Sequence, residues 1–176
     1  MSYKQNRYFS LMAVAFAIVL MATAVTQSYA QNEKYRAKLD GNNEVPSVNS
    51  TGEGVINFKT KDGSMSWKMT INGTKDATGV QIHQGKNDTN GKAIVDLFKT
   101  SKHKSTPTGM ILRGNITDAN LIGSMKGKSI SELKSAIANG DTYVNVKTKE
   151  HPTGEIRGQI KLKGSGNNTT STNSTQ

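Results

Sequence analysis

Residues 140–160 read GDTYVNVKTKEHPTGEIRGQI, and this stretch decides the fold. Apolar and polar residues alternate in both of its halves, with Val144 and Val146 in the first and Ile156 and Ile160 in the second. A period of two is typical of β-strands, because successive side chains point to opposite faces of a sheet. The stretch therefore predicts two strands that each place one face in a core.

A turn joins these two strands. Pro152 and Gly154 lie between them, and proline fixes a negative φ while glycine accepts a positive one. We expect the resulting hairpin to close the sheet.

The polar face of the hairpin is the first candidate site. Five of its residues form a candidate ligand or partner patch: Tyr143, Asn145, Glu155, Arg157 and Gln159. A functional patch would use the paired donors of the arginine to bind a small ligand or partner. The alternative, which we favour, is a cross-strand ion pair that fixes the register of the strands.

Six segments upstream of the hairpin are also expected to form strands. They lie at 33–39, 55–60, 65–71, 80–83, 93–98 and 110–116. Asp62 and Gly63 suit the positive φ values of a type I′ hairpin turn, and Trp67 is the expected core anchor. Residues 100–108 are rich in lysine and are expected to form a loop.

One helix interrupts the strands. Ser129 and Glu132 have the spacing of a capping box, and Ile130, Leu133 and Ile137 share one helical face. Seven or eight short strands with one short helix predict an antiparallel β-sandwich or barrel.

The chain ends lie outside this pattern. Lys4 and Arg7 precede an apolar run at 9–25 and small residues at Ser28 and Ala30. This order is typical of a secretory signal peptide, so we expect residues 1–30 to be removed on export, the alternative being a retained anchor. The domain then occupies 31–163. Residues 164–176 hold no apolar side chain and predict a disordered tail.

Charge and cysteine content narrow the function. The chain has 23 Lys and Arg against 13 Asp and Glu, and it has no cysteine. Without cysteine, a disulfide framework and thiolate chemistry are both excluded. The lysines are spread evenly along the sequence, which is more typical of a solvated surface than of a nucleic-acid footprint.

The motifs at 44–46 (EVP), 82–85 (IHQG) and 140–160 resemble those of the CHRD domain family, which is named from chordin and has many exported prokaryotic members. The resemblance extends over residues 34–162. It implies an antiparallel Greek-key β-sandwich that is immunoglobulin-like and related to copper–zinc superoxide dismutase. It implies no established activity.

The family often carries imidazoles at three positions that this chain fills with Gln81, His83 and Lys147. Residues two apart on a strand share a face and can chelate one ion, but a lysine cation repels a metal. His103 and His151 are expected in loops. We therefore predict no metal site and no cofactor, with His83 as the remaining candidate ligand.

Catalytic motifs are not found in the sequence. It contains no nucleophile elbow, phosphate-binding loop or zinc-protease motif. The carboxylate pairs, such as Asp40 with Glu44, are expected to be solvated in turns or at strand ends. We therefore predict a protein that is not an enzyme.

Seven asparagines head Asn-x-Ser/Thr sequons without proline. They are Asn49, Asn72, Asn87, Asn115, Asn167, Asn168 and Asn173. We expect them to be glycosylation sites of an exported protein, the alternative being compositional bias.

These observations predict a secreted or cell-surface CHRD protein with a binding or structural role. Its expected partner is a protein or glycan of the cell envelope; nucleic acid is not expected, and a membrane is expected only through an uncleaved N-terminal segment. Two alternatives are a metal-binding, dismutase-like domain and a surface protein that self-assembles through open strand edges.

Overall fold

The computed structural model describes residues 32–74 and 76–164. The expected signal peptide lies outside these residues, as does the expected tail beyond Gly164. The described part contains ten strands and one α-helix, in the order β1 (Lys34–Asp40), β2 (Glu53–Lys61), β3 (Ser64–Asn72), β4 (Ala77–Gln84), β5 (Ala93–Asp96), β6 (Lys102–Thr106), β7 (Gly109–Ile116), α1 (Ile130–Ala138), β8 (Thr142–Thr148), β9 (Ile156–Gln159) and β10 (Lys161–Leu162).

The strands form one antiparallel sheet in the order β5-β4-β8-β9-β1-β2-β3-β7-β6. We call β5, β4, β8 and β9 the first half-sheet and β1, β2, β3, β7 and β6 the second half-sheet. The two halves pair through a single register position, Asp40 with Arg157. After the buried Ile160, the chain continues into β10, which pairs with β1.

Both half-sheets contribute to one hydrophobic core. Val144 and Ile156 come from the first half-sheet, and Ile56 and Met69 come from the second. The chain passes between the halves at the β3–β4, β5–β6 and β7–α1–β8 connections. The predicted all-β antiparallel sandwich with one short helix is confirmed.

The third predicted segment forms the most regular strand, β3. Its buried residues alternate with exposed or half-exposed ones, and Trp67 is 4% exposed. Asp62 and Gly63 have φ angles of 46° and 71°, so the tight turn before β3 has the two positive φ values of a type I′ turn. The predicted turn and core anchor are both confirmed.

Gly114 on β7 lies opposite Trp67 and leaves room for the indole ring. A Cβ atom at this position would lie 2.9 Å from the ring carbon Cζ2. We expect Gly114→Ala to lower the free energy of unfolding by about 2 kcal/mol, because overpacking displaces the ring. Urea denaturation measures the change. Gly79→Ala is the matched control, since its nearest neighbours would lie at 3.7 Å, and equal losses in both variants would contradict the packing argument.

The helix α1 begins as its capping box predicts. Ser129 Oγ accepts a hydrogen bond from Glu132 N, and Glu132 Oε2 accepts one from Ser129 N at 2.9 Å. Its buried face contains Ile130, Leu133 and Ile137. No helix in the described ranges has the length and apolar character needed to cross a membrane.

The lysine-rich segment expected to be a loop is instead the edge strand β6, which pairs with β7. Its side chains are almost all exposed, so it lacks the apolar alternation that identifies a half-buried strand. Backbone hydrogen bonds to β7 hold it in the sheet. His103, expected in a loop, lies on this strand and stacks on Phe98 with ring centroids 5.5 Å apart. With β6 and β10, the described strands number ten instead of seven or eight.

Candidate functional site

The polar face of the first half-sheet is buried beneath two loops. Tyr143, Asn145 and Arg157 are 2%, 4% and 1% exposed. Residues 44–52 cover one side of this face, and residues 85–91 cover the other. The hairpin therefore has a hydrophobic layer on one face and a buried polar layer on the other.

Arg157 holds the 85–91 loop against the sheet. Its Nη2 donates to the backbone oxygens of Lys86 at 2.7 Å and Thr89 at 2.8 Å, and its Nη1 donates to Asn90 Oδ1 at 3.0 Å. Hydrogen bonds from a charged donor are about twice as strong as neutral ones. The guanidinium therefore acts as a tether between β9 and this loop.

Glu155 and Gln159 lie at the margins of the polar layer and hold other segments. Glu155 Oε1 accepts from Ser50 Oγ at 2.7 Å, which attaches the 44–52 segment. Gln159 Nε2 donates to the backbone oxygens of Gly85 at 3.0 Å and Gly140 at 2.6 Å. In the described part of the chain, Glu155 forms no ion pair, so the favoured ion pair with Arg157 is not found.

The Tyr143 ring contacts the guanidinium of Arg157 and the imidazole ring of His83. The Arg157 Cζ atom lies 3.4 Å from the centroid of the Tyr143 ring, and the His83 ring stacks on it with centroids 5.1 Å apart. The Tyr143 hydroxyl accepts from Gly91 N at 3.1 Å. A cation over an aromatic face is attracted by the quadrupole of the ring. The stack therefore joins β4, β8 and β9 on their polar face.

The protonation of His83 follows from its hydrogen bond. Its Nδ1 lies 2.9 Å from the backbone oxygen of Gly91, and a carbonyl only accepts, so Nδ1 carries the proton. Burial lowers the pKa of His83, and the positive charges of Lys147 and Arg157 lower it further. The ring is therefore neutral at pH 7, and its Nε2 is a bare acceptor. This atom is buried and has no hydrogen-bond partner among the described residues.

The expectation that Glu44 is solvated is wrong, because its side chain is buried and the residue is only 8% exposed. Its two oxygens accept from Asn145 Nδ2 at 2.9 and 3.2 Å. Burial raises the pKa of Glu44 to about 7, although the charge of Arg157 opposes this rise. The carboxyl group is therefore divided between its neutral and ionised forms near pH 7.

Gly154 makes room for this contact. With φ at 155°, a Cβ atom there would lie 2.3 Å from Asn145 Nδ2 and 2.8 Å from Glu44 Oε1. Any larger residue would push these two side chains apart.

A cavity of about 300 Å³ opens beside this network. It is lined by Glu44, Val45, Pro46, Ser47, Val48, His83, Asn90, Gly91, Tyr143, Asn145, Thr153 and Gly154. Two of the lining residues contribute buried acceptors without partners in the described ranges, His83 Nε2 and Asn145 Oδ1. A buried polar atom without a partner carries a free-energy cost. A ligand that donates hydrogen bonds to these two atoms would remove that cost.

The three positions that the resemblance links to metal lie on one sheet face, as expected. Gln81 and His83 lie on β4, where Gln81 is paired with Asn145 of β8. Lys147 of β8 is paired with Gly79, which lies on the same face of β4 as Gln81 and His83. Within residues 32–74 and 76–164, no group of three or more His, Asp or Glu side chains is placed to hold a metal ion.

Four of the seven sequon asparagines lie in the described part, and all four are exposed: Asn49, Asn72, Asn87 and Asn115. The other three, Asn167, Asn168 and Asn173, lie outside it. Glycosylation remains a prediction.

Sequence reasoning missed Glu44, Asn90 and Gly91 as parts of the site. Glu44 could have been identified from the sequence, because it is the first residue of the EVP motif at 44–46. Asn90 and Gly91 are in a polar loop of ordinary composition, and no sequence signal distinguishes them. Only the path of the loop over Arg157 and His83 identifies them.

The fold and the site define an all-β sandwich that carries a loop-covered polar layer on one half-sheet. The model of the CHRD domain matches residues 35–160, and the chain belongs to this family. The resemblance noted in the sequence is thereby confirmed. No curated protein and no solved structure matches the chain significantly.

Proposed function

We propose that this chain is an exported, non-catalytic CHRD binding module and that the cavity beside Glu44 and Asn145 is its ligand site. The observation that carries the proposal is the pair of buried, unpartnered acceptors, His83 Nε2 and Asn145 Oδ1, in residues that line one cavity. Ligand sites are typically concave and combine apolar walls with a few convergent polar groups.

The acceptors define the chemistry of the ligand. Hydroxyl groups can donate to His83 Nε2 and Asn145 Oδ1, and Glu44 can accept or donate according to its protonation. The volume of about 300 Å³ lies at the lower end of small-molecule sites. We therefore propose a polyhydroxyl ligand of the size of one sugar unit, which accords with the envelope glycan expected from the sequence.

Most of the remaining polar groups are occupied by structural contacts. The donors of Arg157 bind the 85–91 loop, and Asn145 Nδ2 binds Glu44. These groups are satisfied within the protein, whereas the two acceptors are left unpaired. This division supports binding without turnover.

An NMR titration of the full chain with glucose, galactose and N-acetylglucosamine tests the proposal. We expect saturable shifts at His83, Gly91 and Asn145 with at least one sugar, at a Kd of about 1 mM. The exposed Thr153 lies on the rim of the cavity, so Thr153→Phe should weaken binding about tenfold or more by obstructing entry.

Thr78→Phe is the control, because Thr78 is also exposed but lies outside the cavity lining. It should bind the sugars as the unsubstituted chain does. Shifts that survive Thr153→Phe, or no saturable shift with any sugar, would overturn the proposed site. Chemical conversion of a sugar during the titration would contradict a non-catalytic role.

A further inference from the structure

A positively charged surface covers the outer face of the second half-sheet, on the side opposite the core. The strand register places its residues in three parallel rows. The middle row crosses β10 and the five strands of the second half-sheet, through Lys161, Arg36, Asn57, Lys68, Arg113 and Lys102. The flanking rows contain Lys34 and Lys59 on one side and Lys38 and Lys104 on the other. We call these nine cations the basic face.

The rows of the basic face contain no carboxylate. The nearest acidic residues on the same side, Asp40 and Glu53, form the next row at one end. None of the nine cations forms an ion pair with any residue that the structure describes. Eight of the nine are exposed, and Arg36 is partly exposed. The face therefore presents an uncompensated positive charge to solvent.

This arrangement has a cost in the folded protein. Lys68, Arg113 and Lys102 are direct cross-strand neighbours, and like charges in this position destabilise a sheet. Adjacent strands are about 4.8 Å apart, so the middle row extends over roughly 24 Å. A partner with many negative charges along an extended chain would relieve the repulsion at several points at once.

The other side chains on this face indicate what kind of polyanion fits. The aromatic residues of these strands, Tyr35, Phe58 and Trp67, all point into the core, whereas proteins that bind single-stranded nucleic acid offer exposed aromatic platforms. The exposed large hydrophobic residues of the described part are Ile122 and Leu162, and neither lies in the three rows. The apolar residues within the rows, Val55 and Ile111, are only partly exposed, so the face offers no prominent apolar side chain for insertion into a bilayer interface.

Short hydroxyl and amide side chains lie among the cations. Ser66 and Asn115 belong to one flanking row, Asn57 to the middle row and Thr70 to the other flanking row. Such groups donate and accept hydrogen bonds and suit the hydroxyls of sugars. Cations interspersed with these groups match a chain of acidic sugar units.

We propose that the basic face binds a flexible anionic polysaccharide. Its carboxylates lie against the lysines and arginines of the three rows, and its hydroxyls contact the serine, threonine and asparagine side chains between them. This surface is separate from the cavity beside Glu44, and its function does not depend on that cavity.

Binding of polygalacturonate to the full chain, measured by calorimetry at low salt, tests this inference. We expect binding that weakens steeply as salt approaches about 1 M, where the Debye length falls to about 3 Å. The triple variant Lys59→Gln/Lys68→Gln/Lys102→Gln should bind about tenfold more weakly or worse, because three charges leave the rows while the side chains stay long and polar.

A control variant removes the same charge elsewhere. Lys92, Lys126 and Lys128 are exposed lysines outside the rows, and their triple replacement by glutamine should change the affinity by less than about twofold. Equal losses in both triple variants would show that only net charge matters and would overturn the proposal.

Three further probes separate the partner classes. Single-stranded poly(dT), polyglutamate and vesicles containing an anionic lipid are titrated against the same two triple variants. The proposal is overturned if polygalacturonate fails to bind at low salt. It is also overturned if the triple variant in the rows weakens the binding of one of these probes but leaves the binding of polygalacturonate unchanged.

Discussion

Replacing Arg157 by leucine is expected to lower the free energy of unfolding by about 4 kcal/mol. The side chain is 1% exposed and donates three hydrogen bonds to the 85–91 loop. Leucine removes all three donors and leaves the backbone oxygens of Lys86 and Thr89 without this partner. The Tyr143 ring also loses its cation.

Urea denaturation of the full chain measures this loss, and amide hydrogen exchange locates it. Exchange should accelerate first in the 85–91 loop, because this loop depends on the guanidinium for its attachment. Arg157→Lys keeps the charge but loses the planar, forked donor geometry of the guanidinium. Its free energy of unfolding should therefore lie between those of the unsubstituted chain and Arg157→Leu.

Arg113→Leu is the matched control for Arg157→Leu. Arg113 is exposed on β7 and belongs to the basic face, so its loss should change the free energy of unfolding by less than about 0.5 kcal/mol. Similar losses at the two positions would contradict the tether.

Glu44→Gln is expected to remove a pH dependence of stability. The folded pKa of about 7 lies above the ordinary value of 4.5, so the folded chain binds this proton more tightly than the unfolded chain does. The stabilisation is fully present below pH 4.5 and is lost as the pH rises through 7. The stability of the unsubstituted chain should therefore fall relative to the variant by about 3 kcal/mol across this window.

His83 contributes with the opposite sign and does not obscure the comparison. Its pKa is lowered from 6.5 by burial, so its contribution is present above pH 6.5 and is lost as the pH falls. It is present in both proteins and cancels when their free energies of unfolding are subtracted.

Urea denaturation from about pH 4 to about pH 8 measures the two profiles. A carboxyl ¹³C titration of the folded chain provides the second readout, with a midpoint near 7 for Glu44. Parallel stability profiles, or a midpoint at the ordinary value, would show that Glu44 is not held in the buried network.

Sequence patterns predicted the fold well where apolar residues alternate. The β3 strand and the hairpin of β8 and β9 have a regular period of two, and Asp62-Gly63 and Ser129 with Glu132 are local signals that need no distant partner. The strand β6 was missed because pairing with β7 through its backbone requires no apolar side chain.

The candidate site could be predicted only in part. Tyr143, Asn145 and Arg157 were identified because they share the polar face of one hairpin. Their partners come from residues far away in the sequence. Glu44 reaches Asn145 across 101 positions, and Lys86 meets Arg157 across 71. No local pattern encodes such contacts, so the expected solvated carboxylate proved to be a buried one.

The sequence by itself determined eight of the ten strands, the capped helix, the tight turn and the family. These features depend on side-chain alternation and on local backbone preferences, which act over a few residues. The tertiary structure alone decided which polar groups became buried and which charges became neighbours. Lys68, Arg113 and Lys102 look evenly spread along the chain, yet strand pairing aligns them in one row. Burial and charge density depend on three-dimensional proximity, and proximity is fixed by the register of strands that are distant in sequence.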